Sequence, residues 1–107
     1  MKKEDHEYLL NLGFVVIEQS TEDLYWLYSF SLDGIDLLLS WSLLEGSMQT
    51  AMYRNGGVIC KVSSEGLTFS QATSEGVTAK FDLGDSATTL EIKIKPQIQV
   101  EWSTLRG

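Results

Sequence analysis

After a short stretch at the N terminus, hydrophobic and polar residues alternate with a period of two along most of the chain. In the stretch itself, Tyr8, Leu9 and Leu12 share a helical face, and Glu4 and Asp5 occupy the first turn, where carboxylates favour the helix dipole. Gly13 supplies a natural stop. From Phe14 the period changes. Leu24, Trp26, Tyr28, Phe30 and Leu32 alternate with Tyr25, Leu27, Ser29 and Ser31. Asp33-Gly34 then has the chemistry of a tight hairpin turn, after which Ile35, Leu37, Leu39, Trp41 and Leu43 alternate with Asp36, Leu38, Ser40 and Ser42. Two such strands form a hairpin with an apolar core face and a serine-bearing outer face.

The same grammar runs to the end of the chain. Strand-like segments at 48–54, 58–63, 67–72, 77–83 and 88–95 are separated by turn-forming clusters, and Gly34, Gly46, Gly56, Gly57, Gly66, Gly76 and Gly84 all fall at these breaks. Pro96 interrupts the last run before Ile98, Val100 and Trp102 resume it, so this region is a bulged, bent or edge strand, or two strands. The pattern predicts a mainly β fold, α+β at the margin, within a single domain spanning 1–107. A helix over 1–13 precedes an antiparallel meander of about eight strands over 14–103, barrel-like or strongly curved because twist accumulates and edges need protection. Trp26, Tyr28, Phe30, Trp41, Phe69, Phe81 and Trp102 are expected in the core. Tyr25, Leu27, Leu38 and Leu44 fall on the opposite face, either under the helix or in an exposed patch.

Composition narrows the chemistry. Of the 107 residues, 43% are hydrophobic and 21% charged, as in ordinary globular domains. Fifteen Asp and Glu against eight Lys and Arg give a net charge of −7, which argues against direct nucleic-acid binding. Apolar runs fall short of a membrane span, and acidic residues follow Met1-Lys2-Lys3 where a signal peptide would be apolar, so a cytoplasmic protein without membrane contact is expected. With one cysteine there is no internal disulfide and no thiolate zinc cage. Cys60, on the same side as Val58 and Val62, is expected to be a buried structural thiol, and His6 an exposed helix residue. Phosphate-cradling loops, nucleophile elbows and metalloprotease pairs are missing from the sequence. The expectation is a protein with no catalytic residues, no metal and no cofactor.

Topology and charge combine into a site. In an up-and-down meander alternate links lie at the same end, which gathers the links at 20–23, 45–47, 64–66 and 84–87. These carry Glu22, Asp23, Glu45, Glu65 and Asp85, with Glu18 and Asp82 close by, and contain no Lys or Arg. Such an end is either a solvated surface or an anionic patch for a basic partner.

A short, acidic domain of all-strand character with no catalytic groups resembles the immunity proteins of bacterial contact-dependent growth inhibition systems. The resemblance covers the whole chain in size, charge and strand content and rests on no diagnostic motif. It implies a protein that neutralises a cognate toxin domain. If that toxin is a ribonuclease or deoxyribonuclease, its basic, phosphate-holding surface would be covered by the carboxylates above. The alternatives are a small barrel binding an apolar ligand, or a structural or accessory module working through a sheet edge.

Overall fold

The computed structural model describes residues 2–106, and at Arg106 the backbone alone. A helix α1 (Lys3–Leu12) leads into nine strands: β1 (Val15–Ser20), β2 (Tyr25–Leu32), β3 (Ile35–Ser42), β4 (Ser47–Arg54), β5 (Gly57–Ser64), β6 (Leu67–Ala72), β7 (Gly76–Asp82), β8 (Ser86–Lys93) and β9 (Gln99–Arg106). Gly13 closes the helix in the left-handed conformation, its N–H and that of Phe14 returning to the last-turn carbonyls. Asp33 and Gly34 both have positive φ, as do Asn55 and Gly56, the backbone signature of tight hairpin turns whose twist matches the strands they join. Pro96, preceded by a cis peptide bond, separates β8 from β9, so the interrupted run is two strands.

The meander divides. β1 to β5 form one antiparallel sheet in sequence order and β6 to β9 a second. The sheets do not close into a barrel. The break comes at Glu65-Gly66, where the chain leaves the edge of the first sheet and starts the second instead of folding back on β5. Gly66 takes φ +78, and a Cβ there would lie 2.3 Å from the Asp82 carbonyl oxygen, so only glycine passes this crossing without displacing β7.

The core lies between the sheets. Tyr28, Leu37, Leu39, Trp41 and Met48 point inward from the first sheet, and Val77, Ala79, Phe81, Leu90 and Ile92 from the second. Phe81 and Trp102 stack at 5.5 Å, and the Trp102 indole N–H donates to the Thr50 hydroxyl at 2.9 Å, pinning β9 over β4. The helix inserts Leu9 and Leu12 into the same core and packs beside β6, filling the opposite side. Its Asp5, only 4% exposed, accepts the Ala72 backbone N–H at 2.9 Å and so fastens the helix to β6. The helix therefore does not cover Tyr25, Leu27, Leu38 and Leu44. The first three are half-buried on the outer face, and Leu44 is 65% exposed.

Two core assignments fail because of β-bulges and sheet edges. A register shift between Leu67 and Phe69 reverses the parity of β6, and Phe69 faces outward at 44% exposure under the Lys80 ammonium. Cys60 is exposed because β5 is an edge strand that the second sheet does not reach. Leu24, which the alternation assigns to a strand, adopts φ +50 at the end of the β1–β2 link.

His6 is half-buried rather than exposed, its Nδ1 within hydrogen-bond distance (2.8 Å) of the Tyr28 hydroxyl. Burial, reinforced by the negative charge of Asp5, pushes that hydroxyl up to about 12 from an ordinary value of 10.0. Below pH 10 Tyr28 is protonated in both the folded and unfolded chain. Between about pH 10 and 12 the unfolded phenol ionises first, so the unfolded state binds fewer protons and stability falls as pH rises. The loss is on the order of 2 kcal/mol. Urea titrations of wild type and Tyr28→Phe at pH 9 and pH 12 should show a steeper alkaline decline in wild type, and parallel declines would disprove this assignment.

Candidate functional site

Four links meet at one end of the molecule, and main-chain hydrogen bonds join them in a series. Leu43 N–H donates to the Leu24 carbonyl at 2.9 Å, linking the β3–β4 connection to that of β1–β2. Leu67 N–H donates to the Gly46 carbonyl at 2.9 Å across the sheet-to-sheet crossing, and Asp82 N–H donates to the Gly66 carbonyl at 2.8 Å. The division into two sheets thus leaves alternate links at a common pole, as the meander argument requires.

Around this pole Glu18, Asp23, Glu45 and Glu65 surround a shallow depression of about 630 Å³ on the outer face of the first sheet. Its floor is the serine-bearing face of the strands: Ser40 and Ser42 from β3, Gln49 from β4 and Ser63 from β5, with Tyr25 at one side. The register places these residues in rows, since Ser42 pairs with Tyr25 and Ser47, and Ser40 with Leu27 and Gln49. Local hydrogen bonds order the rim. The Ser20 hydroxyl engages Asp23 through both its side chain and its backbone N–H at 3.2 Å, and the Ser42 hydroxyl accepts the Glu45 N–H at 3.3 Å.

Asp82 and Asp85 stand apart from that group. They flank a second depression of about 510 Å³ beside the β7–β8 turn, which also contains Thr68, Lys80 and Leu105. Asp82 caps its own turn by accepting the Gly84 N–H at 2.9 Å. Glu22 projects from the β1–β2 link and lines neither depression. All seven carboxylates are exposed, and none forms an ion pair among the described residues. At the other end, Glu75 lies with Lys93 and Lys95, so negative charge is diluted there. The serine floor is not part of the site that the sequence predicts. Its signal was the run of serines opposite the large residues of β2 and β3, which by itself describes any solvated sheet face.

His6 and Cys60 are not brought together. His6 contacts Tyr28 on β2, whereas Cys60 stands on β5, three strand spacings or about 14 Å across the sheet. Among the described residues no three His, Cys, Asp or Glu side chains are grouped to hold a metal ion, and no helix is long and apolar enough to cross a membrane.

The geometry defines a helix-flanked, two-sheet antiparallel β protein with Glu18, Asp23, Glu45 and Glu65 lining a serine-floored depression. No family model matches the chain, and no curated protein matches it in sequence. Among solved structures, the fold is similar to that of a chain in a contact-dependent growth inhibition toxin–immunity protein complex from Klebsiella pneumoniae 342, with a TM-score of 0.78. The match covers 94% of this chain and 93% of that one at 20% sequence identity, which makes it a likeness of fold.

Proposed function

We propose that this chain is a non-enzymatic immunity protein that binds a cognate toxin domain and neutralises it by covering its active surface. The observation that carries the reading is the collection of exposed carboxylates at one pole, with Glu18, Asp23, Glu45 and Glu65 around one depression and no cation in its lining. The fold it shares with a chain of a toxin–immunity complex supports the same reading. A partner suited to this pole carries a basic surface, and a nuclease has one because its active site must hold phosphate. The carboxylates then stand where phosphates would. Clustered charge of this kind raises association rates by roughly 10 to 1,000-fold through steering, and desolvated interfacial pairs couple by about 1.5–7 kcal/mol each. The action is set in the cytoplasm, where an incoming nuclease meets its substrate.

The test is co-expression with the toxin domain encoded in the adjacent reading frame. Wild type should rescue growth and co-purify with the toxin, with association slowed markedly between low and physiological salt. The combined variant Glu22→Gln, Asp23→Asn, Glu45→Gln, Glu65→Gln, Asp85→Asn should keep its circular dichroism spectrum. It should lose roughly 100-fold or more in affinity, along with most of the salt dependence. Unchanged capture by the folded variant would refute the role of the pole.

A further inference from the structure

The four sheet-edge strands are not equivalent. β1 is bulged between Val16 and Glu18, β5 is out of register with β4 beyond Met52, and β6 is bulged between Leu67 and Phe69. Such irregularities bend an edge and protect it from pairing with another chain. β9 has none. It pairs with β8 without a shift from Lys93↔Gln99 to Ser86↔Arg106, so its free side is a straight row of main-chain donors and acceptors eight residues long.

The space beside that edge is also unusual. β9 lies over β4 through the Trp102–Thr50 hydrogen bond, but the first sheet continues one strand further, to β5. On the inner side of β5, Cys60 and Val62 stand opposite Met52 and Thr50. Thr50 is buried and Met52 half-buried, whereas Cys60 is exposed and Val62 is 37% exposed. The helix fills the corresponding gap on the other side of the sandwich. Five strands therefore face four, and the inner face of β5 is left uncovered beyond the edge of β9 as an open slot.

Resting on the toxin reading above, we propose that an extended segment of the toxin domain adds to the edge of β9 as a tenth strand. It lays apolar residues over Cys60 and Val62 and sets a Lys or Arg beside Glu101. The charge pattern selects this occupant. Glu101 lies directly opposite Glu91 in the ladder, a like-charge pairing that costs stability. Lys93 engages Glu91 at 3.3 Å, while among the described residues Glu101 is reached by the Ser103 hydroxyl at 3.4 Å and by no cation. A cation on an added strand completes the row. A second copy of this chain brings a further net charge of −7 to an edge that already carries opposed carboxylates. Both β5 and β9 run toward the acidic pole, so a segment in the slot emerges beside Glu65 and Asp85, continuous with the contact proposed there. Strand addition supplies affinity through the main chain and selectivity through the alternate side chains.

The experiment follows Cys60. With the adjacent-frame toxin domain bound, maleimide labelling of Cys60 should slow at least tenfold, and β9 amides should gain hydrogen-exchange protection while those of β1 do not. Val62→Lys and Glu101→Lys, both at exposed positions, should each weaken capture about tenfold or more, and Val15→Lys on the far edge should leave it unchanged. Capture with Cys60 still labelled at the free rate overturns the proposal and leaves the toxin reading standing. If wild type captures no toxin, that reading falls and the slot is judged with a synthetic octapeptide of alternating Val and Lys. Slowed Cys60 labelling by this peptide, but not by its N-methylated analogue, supports strand addition, and an unchanged rate overturns it.

Discussion

Gly76→Ala is expected to unfold the protein, or to leave it with so little stability that it melts near growth temperature. Gly76 opens β7 directly opposite Lys93, at φ +157, and a Cβ there would lie 1.7 Å from the Ile92 carbonyl oxygen and 2.7 Å from its carbon. The obstruction is main chain of the neighbouring strand, so no side-chain rotation relieves it. Either the β7–β8 ladder separates at that end or both strands shift, and Val77 and Ile92 leave the core with them. A cost of about 4 kcal/mol or more falls in the exceptional range for one substitution and approaches the 5–15 kcal/mol that holds a whole domain. Gly84→Ala is the control. Its φ is +91 but nothing lies within 4 Å of the added carbon, so only the left-handed conformation is penalised, at about 1–2 kcal/mol. Urea titration of the two variants should separate them by about 2 kcal/mol or more, and equal midpoints would show that the Ile92 contact does not matter.

Trp41→Ala is the second large effect, at about 3–5 kcal/mol. Trp41 is fully buried at the centre of the first sheet, directly across from Trp26 on one side and Met48 on the other. Truncation leaves a cavity that these flanking side chains cannot close without breaking the ladder. Trp41→Phe should cost much less than Trp41→Ala, because the buried indole N–H of Trp41 has no hydrogen-bond partner among the described residues and its loss forfeits nothing. Trp102→Phe offers the contrast. It gives up the 2.9 Å bond to Thr50 and leaves that buried hydroxyl without its donor. A thermal melt of Trp41→Ala within about 5 °C of wild type would contradict this account of the core.

Local chemistry makes much of the fold legible in the sequence alone. The helix over Lys3–Leu12, its stop at Gly13, and the β2–β3 hairpin at Asp33-Gly34 appear where alternation and turn residues place them. What stayed hidden was non-local. Ser64-Glu65-Gly66 reads like any hairpin link, and only contact with Gly46 and Asp82 sends the chain into a second sheet. Phe69 and Cys60 were misassigned for related reasons. Parity is counted from neighbours in sequence, but one bulged residue reverses it, and an edge strand can lack cover on both faces. The pole was legible because it needs only the parity of the links, and it survives the division into two sheets. The separation of Asp82 and Asp85 from the other carboxylates, and the gathering of polar residues from β3, β4 and β5 into one floor, depend on which strands share a sheet, which spacing along the chain does not encode.

The bonds that join the four links at the pole run from main chain to main chain, through Leu24, Leu43, Gly46, Leu67, Gly66 and Asp82. Scaffold and recognition chemistry are thereby uncoupled. The exposed tips at 22, 45, 65 and 85 can be rewritten by substitution without disturbing what spaces them. On the toxin-binding function proposed above, a lineage built on this framework is free to follow a changing adversary one side chain at a time, and its members are expected to differ most at these tips while keeping glycine at the crossing.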